Sequence, residues 1–214
     1  MIKITTKIIL ILIISSSTTF GLNINVFEFT PEELETLEVR KVKKLTTYEL
    51  GSNNQGNYIK AIAEGVGSGL GKKININLNE TPFINITWKV EKDLNGIKEN
   101  EKKGHDFAAR VFVVKKTGLT ALSNKAINYV FSSNEKIGDY WRSPYTKSSI
   151  DYVLSTTITN HNQWVSVKAN VKEHFKKLHN IDVEFLDGVA IMTDTDQSKL
   201  KAISYYQNIY FSAD

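Results

Sequence analysis

Two acidic side chains separated by one residue, Asp194 and Asp196, have the chemistry of a cation site. Calcium binds oxygen ligands, and carboxylates are prominent among them. The residues that follow lack the glycine and the distal glutamate of an EF-hand loop. Asp194 and Asp196 are therefore a candidate calcium site. A turn stabilised by hydrogen bonds of the aspartate side chains is the alternative that we favour.

A second candidate for chemistry is Arg110, which follows Asp106 within the stretch 104–114. A polar turn followed by apolar, β-branched and aromatic residues predicts a buried strand over this stretch. A guanidinium can bind a carboxylate or a pair of sugar hydroxyls. A buried charge is costly unless it is paired. An internal ion pair of Arg110 with Asp194 or Asp196 is therefore the alternative that we favour.

Aromatic side chains that could stack on a sugar ring form a third group. Trp141 lies in a long predicted loop, 137–145, and loops carry binding residues more often than the elements they connect. Trp88 and Trp164 are expected to pack in the core. Together with the charged residues above, the candidate ligand-binding set is Trp141, Arg142, Tyr145, Asp106, Arg110 and Tyr129.

The sequence lacks the patterns of common catalytic sites. It has no cysteine and no Gly-x-Ser-x-Gly motif to supply a nucleophile. Its four histidines show no metal-ligand spacing. His105 and Asp106, as neighbours on a strand, would point to opposite faces. Two carboxylates that cleave a glycosidic bond are brought together by the fold rather than by spacing, so this chemistry stays open for acids near Asp106 and Asp194.

The composition limits the partners of the chain. Its 214 residues suit one domain, and its 41% hydrophobic content suffices for a substantial core. The net charge of +4 is mild, and no compact basic and aromatic patch is present, so no nucleic-acid partner is expected. Without cysteine the fold cannot rely on disulfides.

The first 21 residues predict a secretory signal peptide. Lys3 and Lys7 precede a short apolar run, 8–14, which is followed by small and polar residues up to Gly21. The run is shorter than the roughly 20 residues that span a bilayer, and an uncleaved anchor is the alternative. We therefore expect an exported protein, periplasmic or secreted, with one domain at 22–214 and no transmembrane span in the mature chain.

The elements that must position these residues are mostly strands. Short alternating or β-branched segments recur along the chain between turn residues, and the glycine-rich residues 65–71 predict a flexible loop. Apolar residues at helical spacing predict one amphipathic helix over 164–179. The pattern predicts an all-β fold, an antiparallel β-sandwich or jelly roll with that single helix.

Several motifs, in order, resemble the bacterial family known as domain of unknown function 3047. They are Thr81-Pro82 with Ile86-Thr87-Trp88-Lys89-Val90, Gly104 to Arg110, Ile127 to Phe131, Trp164 to Phe175, Gly188 to Asp196, and Ala202 with Ile209-Tyr210-Phe211. The sequence departs from the family pattern at His105-Asp106, where two acids are usual, and at Phe131, where tryptophan is usual. The closing pattern is also similar to galactose-binding-like jelly rolls. The resemblance implies export and the fold more than a function.

The function that we predict from the sequence is an exported, non-catalytic module that binds a carbohydrate or another polar glycan. One alternative is an enzyme acting on a polysaccharide through carboxylates near Asp106 and Asp194. Another is an envelope protein whose aromatic loop contacts a second protein.

Overall fold

In the computed structural model the protein is described over residues 22–118 and 123–214. The predicted signal peptide, residues 1–21, lies outside the described residues. Within these two ranges no helix has the length and the apolar composition needed to cross a membrane.

The described residues are mostly strands with a few short helices. In chain order the strands are β1 Asn23–Asn25, β2 Glu38–Lys41, β3 Thr47–Asn53, β4 Gly56–Glu64, β5 Gly67–Asn77, β6 Phe83–Lys92, β7 Ala109–Lys115, β8 Lys125–Ser132, β9 Tyr140–Arg142, β10 Ser149–Thr156, β11 Val165–Asn170, β12 Phe185–Asp194 and β13 Lys201–Ser212. The helices are α1 Pro31–Thr36, α2 Thr157–Asn160 and α3 Val171–His174, which continues as a π-helical turn, Phe175–His179; a 3-10 turn spans Lys102–Gly104.

The strands form two sheets. Sheet A has the order β11-β6-β13-β4-β3, and β1 pairs with β13; sheet B has the order β2-β5-β12-β7-β8-β10-β9. Neighbouring strands are antiparallel except for β8 and β10, which are parallel. The predicted all-β sandwich is therefore confirmed, with one parallel pair that the sequence did not predict.

The two sheets pack face to face around an apolar core. Trp88 of β6 is fully buried, lies against Phe131 of β8, and donates a hydrogen bond from Nε1 to Ser155 Oγ at 2.9 Å. Tyr48 of β3 donates from its hydroxyl to the carbonyl of Ser68 in β5 at 2.6 Å. At the other side of the sandwich β11 contacts β10. One edge of the sandwich is therefore formed by β3 and β2, and the other by β11. The helix α3 follows β11, so β2 and α3 lie at opposite edges of the sandwich.

The predicted helix over 164–179 is wrong in its first half. The helix begins at Val171, because residues 165–170 form β11 and pair with β6. Val165 and Val167 alternate with polar Ser166 and Lys168 there, and this alternation is that of a half-buried strand. A short run of apolar residues can fit both the period of a helix and the period of a strand. Pairing with β6 makes this segment a strand.

Two other predicted elements also differ in extent. The strand predicted over 104–114 begins only at Ala109, and residues 104–107 lie before it. The glycine-rich segment is not a flexible loop, because Gly67 and Gly69 belong to β5 and pair with β12. A side chain at Gly67 would place its Cβ 2.9 Å from the Cβ of Asp194. Close approach of the strands, rather than flexibility, therefore explains these glycines.

Candidate functional site

Sheet B carries its buried charged residues, Arg110, Asp151 and Asp194, on the surface that faces away from sheet A, and other residues cover them. We call this surface the closed face. Its side chains Val130 and Val153 pack with Phe107 and Trp141 in a small apolar cluster separate from the main core. The closed face comprises Arg110, Asn128, Val130, Asp151, Val153 and Asp194, together with His105, Asp106, Phe107 and Trp141.

Arg110 forms an internal ion pair on the closed face, as the favoured alternative predicted. Its Nη2 lies 2.5 Å from Oδ2 of Asp194, and both side chains are only about 4% exposed. The guanidinium also lies over the rings of Phe107 and Phe112, at 4.7 and 5.2 Å from their centroids. Burial raises the pKa of Asp194 to about 6 despite Arg110, and the pKa of Arg110 is itself raised.

Two carboxylates of the closed face and that of Asp196, which follows β12, lie close enough to hold a metal ion. One oxygen each from Asp106, Asp194 and Asp196 falls within 4.8 Å of the others, and all three residues are buried. Each acid already has partners: Asp106 accepts from the backbone N–H of Gln197 and Ser198, and Asp196 accepts from Gln197 Nε2. The oxygen donors suit calcium, whereas the bond from Arg110 to Asp194 competes with a cation.

His105 pairs with a distant acid rather than with its neighbour Asp106. Its Nε2 lies 2.8 Å from Oδ2 of Asp151, and Asn128 Nδ2 donates to the other oxygen of Asp151 at 2.8 Å. The His105 ring meets the rings of Phe107 and Tyr145 edge-on. All of these polar contacts are internal, so they hold residues 104–107 on sheet B.

The aromatic loop predicted to bind a ligand borders the closed face. The Trp141 ring is half-buried and stacks on Phe107 with 6.3 Å between centroids. Tyr145 is 53% exposed and donates from its hydroxyl to the carbonyl of Lys102. Arg142 is exposed and donates to the carbonyl of Lys147. Four of the six predicted ligand-binding residues, Trp141, Tyr145, Asp106 and Arg110, therefore gather on this side of sheet B. Arg142 pairs with the core residue Ile150, so its side chain leaves β9 on the opposite side from Trp141.

Tyr129, the sixth predicted residue, lies on the other side of sheet B. It has no exposed surface and packs in the core between the sheets. Its hydroxyl lies 3.1 Å from Nδ1 of His174, and burial raises its pKa well above the usual value. Its position is separate from that of Asp106, Arg110, Trp141 and Tyr145.

The outer face of sheet A has a different character, and we call it the open face. Three partly exposed rings meet there, those of Tyr58, Trp164 and Tyr205, with centroids 5.6 to 5.9 Å apart. The rings come from β4, from the residue before β11, and from β13. The expected core position of Trp164 is therefore wrong, whereas Trp88 is in the core as expected.

Charged groups surround the three rings of the open face. Lys89 Nζ lies 4.2 Å from the centroid of Tyr205 and 5.9 Å from that of Trp164. The Tyr205 hydroxyl donates to Glu91 Oε2 at 2.5 Å, and burial together with this carboxylate raises the pKa of Tyr205. Lys60 Nζ lies 5.9 Å from the same ring.

Cross-strand pairing places a row of polar side chains beside the rings. Gln207 pairs with Tyr58 on one side and Thr87 on the other, and Thr87 pairs with Ser166. The hydroxyl oxygens of Thr87 and Ser166 lie 2.8 Å apart. Gln207 Nε2 donates to the Asn53 side chain and to the Gly56 carbonyl.

A cavity of about 530 Å³ opens next to this row. It lies where β13 changes partner: pairing with β4 ends at Gln207, an irregularity follows, and pairing with β1 begins at Tyr210. Asn208 within this irregularity has φ 48°. The walls are mostly amide and hydroxyl side chains, contributed by Asn23, Asn25, Phe27, Glu28, Asn57, Thr87, Ser166, Asn208, Ile209 and Tyr210. The volume is in the range of small-molecule sites.

The open face was missed by the sequence analysis, although β13 carries a signal for it. Tyr206 is fully buried and its neighbour Tyr205 is not, as strand alternation requires. Of two adjacent tyrosines on a strand, one must therefore lie on the outer face. The alternation of β13 gives no information on Trp164, and the apolar spacing around Trp164 predicts a helix.

The fold is that of a β-sandwich of the jelly-roll class, with one outer face buried and the other open. The chain belongs to the family described as Protein of unknown function (DUF3047), whose model matches residues 32–210. A comparison with curated proteins gives no match.

Solved structures with the same fold include carbohydrate-binding modules. The family 30 module of a cellulosomal cellulase of Clostridium thermocellum is similar with a TM-score of 0.54 and 9% identity, covering 90% of this chain and 98% of that one. Another family 30 carbohydrate-binding module gives a TM-score of 0.52 and 8% identity over 90% of this chain and 88% of its own. At this identity the similarity establishes the fold alone.

Proposed function

We propose that the protein is an exported, non-catalytic module that binds a glycan on the open face. The observation that carries this proposal is the group of three partly exposed rings, Tyr58, Trp164 and Tyr205, beside a cavity lined by amides and hydroxyls. Aromatic faces suit the apolar faces of sugar rings. Amide and hydroxyl groups suit their hydroxyls. The carbohydrate-binding modules of the same fold support this choice of ligand.

The polysaccharide-cleaving alternative gains no support at the acids predicted for it. Asp106 is 0% exposed and Asp194 is 3% exposed. Their oxygens accept internal hydrogen bonds or pair with Arg110. A substrate would have to displace residues 104–107 to reach them, so binding without cleavage is the better account.

Calorimetric titration with a panel of neutral and acidic oligosaccharides tests the proposal. We expect Trp164→Ala to weaken the binding of a panel member by about thirtyfold or more, as for a central aromatic contact in an interface. Trp141→Ala is the matched control on the other face and should bind normally. Normal binding by Trp164→Ala together with loss in Trp141→Ala would instead favour the site predicted around Trp141, Arg142 and Tyr145.

Calcium at Asp194 and Asp196 stays a prediction, and we propose Asp106 as a third ligand. Its support is the proximity of the three buried carboxylates. A bound ion stabilises the folded state, so the melting temperature should be higher in calcium than in a chelator. The Asp196→Asn variant should lose the difference. Equal melting temperatures for the unmodified protein in both buffers would reject the site.

A further inference from the structure

A basic and apolar surface lies at the edge of sheet B, and neither the glycan site nor the core accounts for it. Val39, Val42 and Leu45 are each more than half exposed. Arg40, Lys41, Lys43 and Lys44, which lie between them, are exposed as well. We call residues 39–45 together with Lys199 and Leu200 the corner surface.

The backbone directs the side chains of this segment outward. Among the strands of residues 22–118 and 123–214, β2 pairs with β5 alone, and no described strand pairs with its other edge. Beyond β2, the N–H groups of both Val42 and Lys43 donate to the carbonyl of Gly67, at 3.0 and 3.3 Å. The Lys44 carbonyl then accepts from the N–H of Gly67 at 3.1 Å. Two donors on one carbonyl form a bulge, which re-aims the side chains at residues 42–45.

The loop that follows β12 continues the same surface. The N–H of Thr195 donates to the carbonyl of Val66, which places the loop beside Gly67 and the 42–44 bulge. Lys43 and Lys199 lie close enough that Lys199 lowers the pKa of Lys43, with a smaller opposing effect of Asp196. Leu200, 41% exposed, adds a fourth apolar side chain. The ammonium of Lys199 donates to the carbonyl of Asp196, which holds this lysine beside the 42–44 bulge.

The acids around the corner surface do not neutralise it. Glu38 pairs with Lys73, and Glu64 pairs with Lys201. Arg40, Lys41, Lys43 and Lys44 form no ion pair with any described residue. Lysine on an edge strand discourages aggregation, and this explains the cations. It does not explain why three aliphatic side chains are exposed among them.

We propose that the corner surface docks the protein on a membrane that contains anionic phospholipids. Lysine and arginine would contact the headgroup phosphates, and the aliphatic side chains would enter the boundary between headgroups and acyl chains. An acidic peptide added as a strand fits less well. It could pair with the four residues of β2 but would leave Val42 and Leu45, beyond the strand, uncovered.

Flotation with vesicles tests the proposal. The chain starting at Leu22, which retains every described strand, is mixed with vesicles of phosphatidylcholine alone or with equal parts of phosphatidylglycerol. We expect flotation only with the anionic vesicles, and less of it as salt is added. The double variant Lys43→Gln and Lys44→Gln should bind roughly thirtyfold more weakly, at about fivefold for each charge near the surface. Val42→Ser with Leu45→Ser should also weaken binding and keep the salt dependence.

The control variant also removes two positive charges, but at the opposite edge of the sandwich. Lys176→Gln with Lys177→Gln, both exposed beyond α3, should float like the unmodified protein. The proposal is overturned if the unmodified protein ignores anionic vesicles or binds both vesicle types equally. Flotation of the Lys43 and Lys44 double variant at the unmodified level would also overturn it. Binding to soluble polyphosphate without flotation would overturn the choice of a membrane.

Discussion

The closed face and the open face belong to the same sandwich but use their polar side chains in opposite ways. On the closed face, Arg110, Asp194, His105 and Asp151 are buried and bonded to one another. On the open face, three rings remain partly exposed, and amide and hydroxyl side chains line the cavity beside them. The buried charges of the closed face depend on Gly67, because the absence of a side chain there leaves room for Asp194 and Asp196.

This difference separates stability from binding. Buried charges that pair with one another are costly to disturb, although Nε of Arg110, Oδ1 of Asn128 and Nε1 of Trp141 have no hydrogen-bond partner among the described residues. Partly exposed rings and amides can bind a ligand at a lower cost, because each polar group can exchange water for a sugar hydroxyl. We therefore expect changes on the closed face to alter the free energy of unfolding, and changes on the open face to alter affinity.

The largest effect is expected on the closed face, from Arg110→Met. The change leaves the buried carboxylate of Asp194 without its cation, and breaking a buried pair in this way costs about 3–5 kcal/mol. Urea denaturation measures the loss. Lys115→Met is the matched control on the same strand, because Lys115 pairs with Asp187 at a partly exposed position, where an ion pair contributes about 1 kcal/mol or less. Equal losses in the two variants would contradict a special role for the buried pair.

A smaller effect is expected from pH, through His174. Burial, followed by the charge of Lys177, lowers the pKa of His174 to about 4. The unfolded chain takes up this proton near pH 6.5 and the folded protein does so only near pH 4, so the stability contributed by neutral His174 is lost as the pH falls between these values. Because the side chain is partly exposed, we expect about 1–2 kcal/mol.

The raised pKa of Asp194 has the opposite effect on the free energy of unfolding. As the pH falls to about 4, the folded protein takes up the Asp194 proton before the unfolded chain does, so this group stabilises the folded state. Comparing the unmodified protein with His174→Gln cancels this contribution. The free energy of unfolding of the unmodified protein should fall more between pH 7 and pH 4.5 than that of the variant. Parallel pH dependences in the two proteins would show that His174 is not responsible.

The smallest effect is expected on the open face, from Gly51→Ala. A Cβ at Gly51 would lie 2.5 Å from the Tyr58 ring, so the ring must move away from its position beside Trp164. Loss of one favourable ring position should weaken glycan binding by about threefold to tenfold. Gly71→Ala is the control, because its nearest neighbour is at 3.6 Å and the residue belongs to sheet B. Unchanged affinity in Gly51→Ala would exclude Tyr58 from the binding surface.

Local patterns in the sequence predict much of the fold but little of the open face. Alternation and turn residues predict the sandwich, because each strand must bury one side. The ion pair of Arg110 was also predictable, because a buried charge needs a partner and few acids were candidates. The exact partner, Asp194 rather than Asp196, depends on the register of β7 with β12, which local patterns do not specify.

The aromatic group on the open face could not be predicted because its members come from three separate parts of the chain. Tyr58, Trp164 and Tyr205 meet only because β4, β13, β6 and β11 are neighbours in that order. The spacing of apolar residues around Trp164 fits a helix as well as a strand, and only pairing with β6 decides between them. The closed face likewise depends on residues 104–107 crossing sheet B, which resembled a strand in sequence.

The position of β13 within sheet A has a consequence for how the protein is made. This strand lies between β4 and β6 and also pairs with β1. It therefore joins strands that the ribosome completes long before it. Sheet A cannot assemble until synthesis has passed Ser212, and until then β4 and β6 expose apolar surface with unpaired edges. The β3–β4 hairpin and the pair β6–β11 do not need β13 and can form earlier, but the complete sheet, and the core that it shares with sheet B, forms only after β13 has been made.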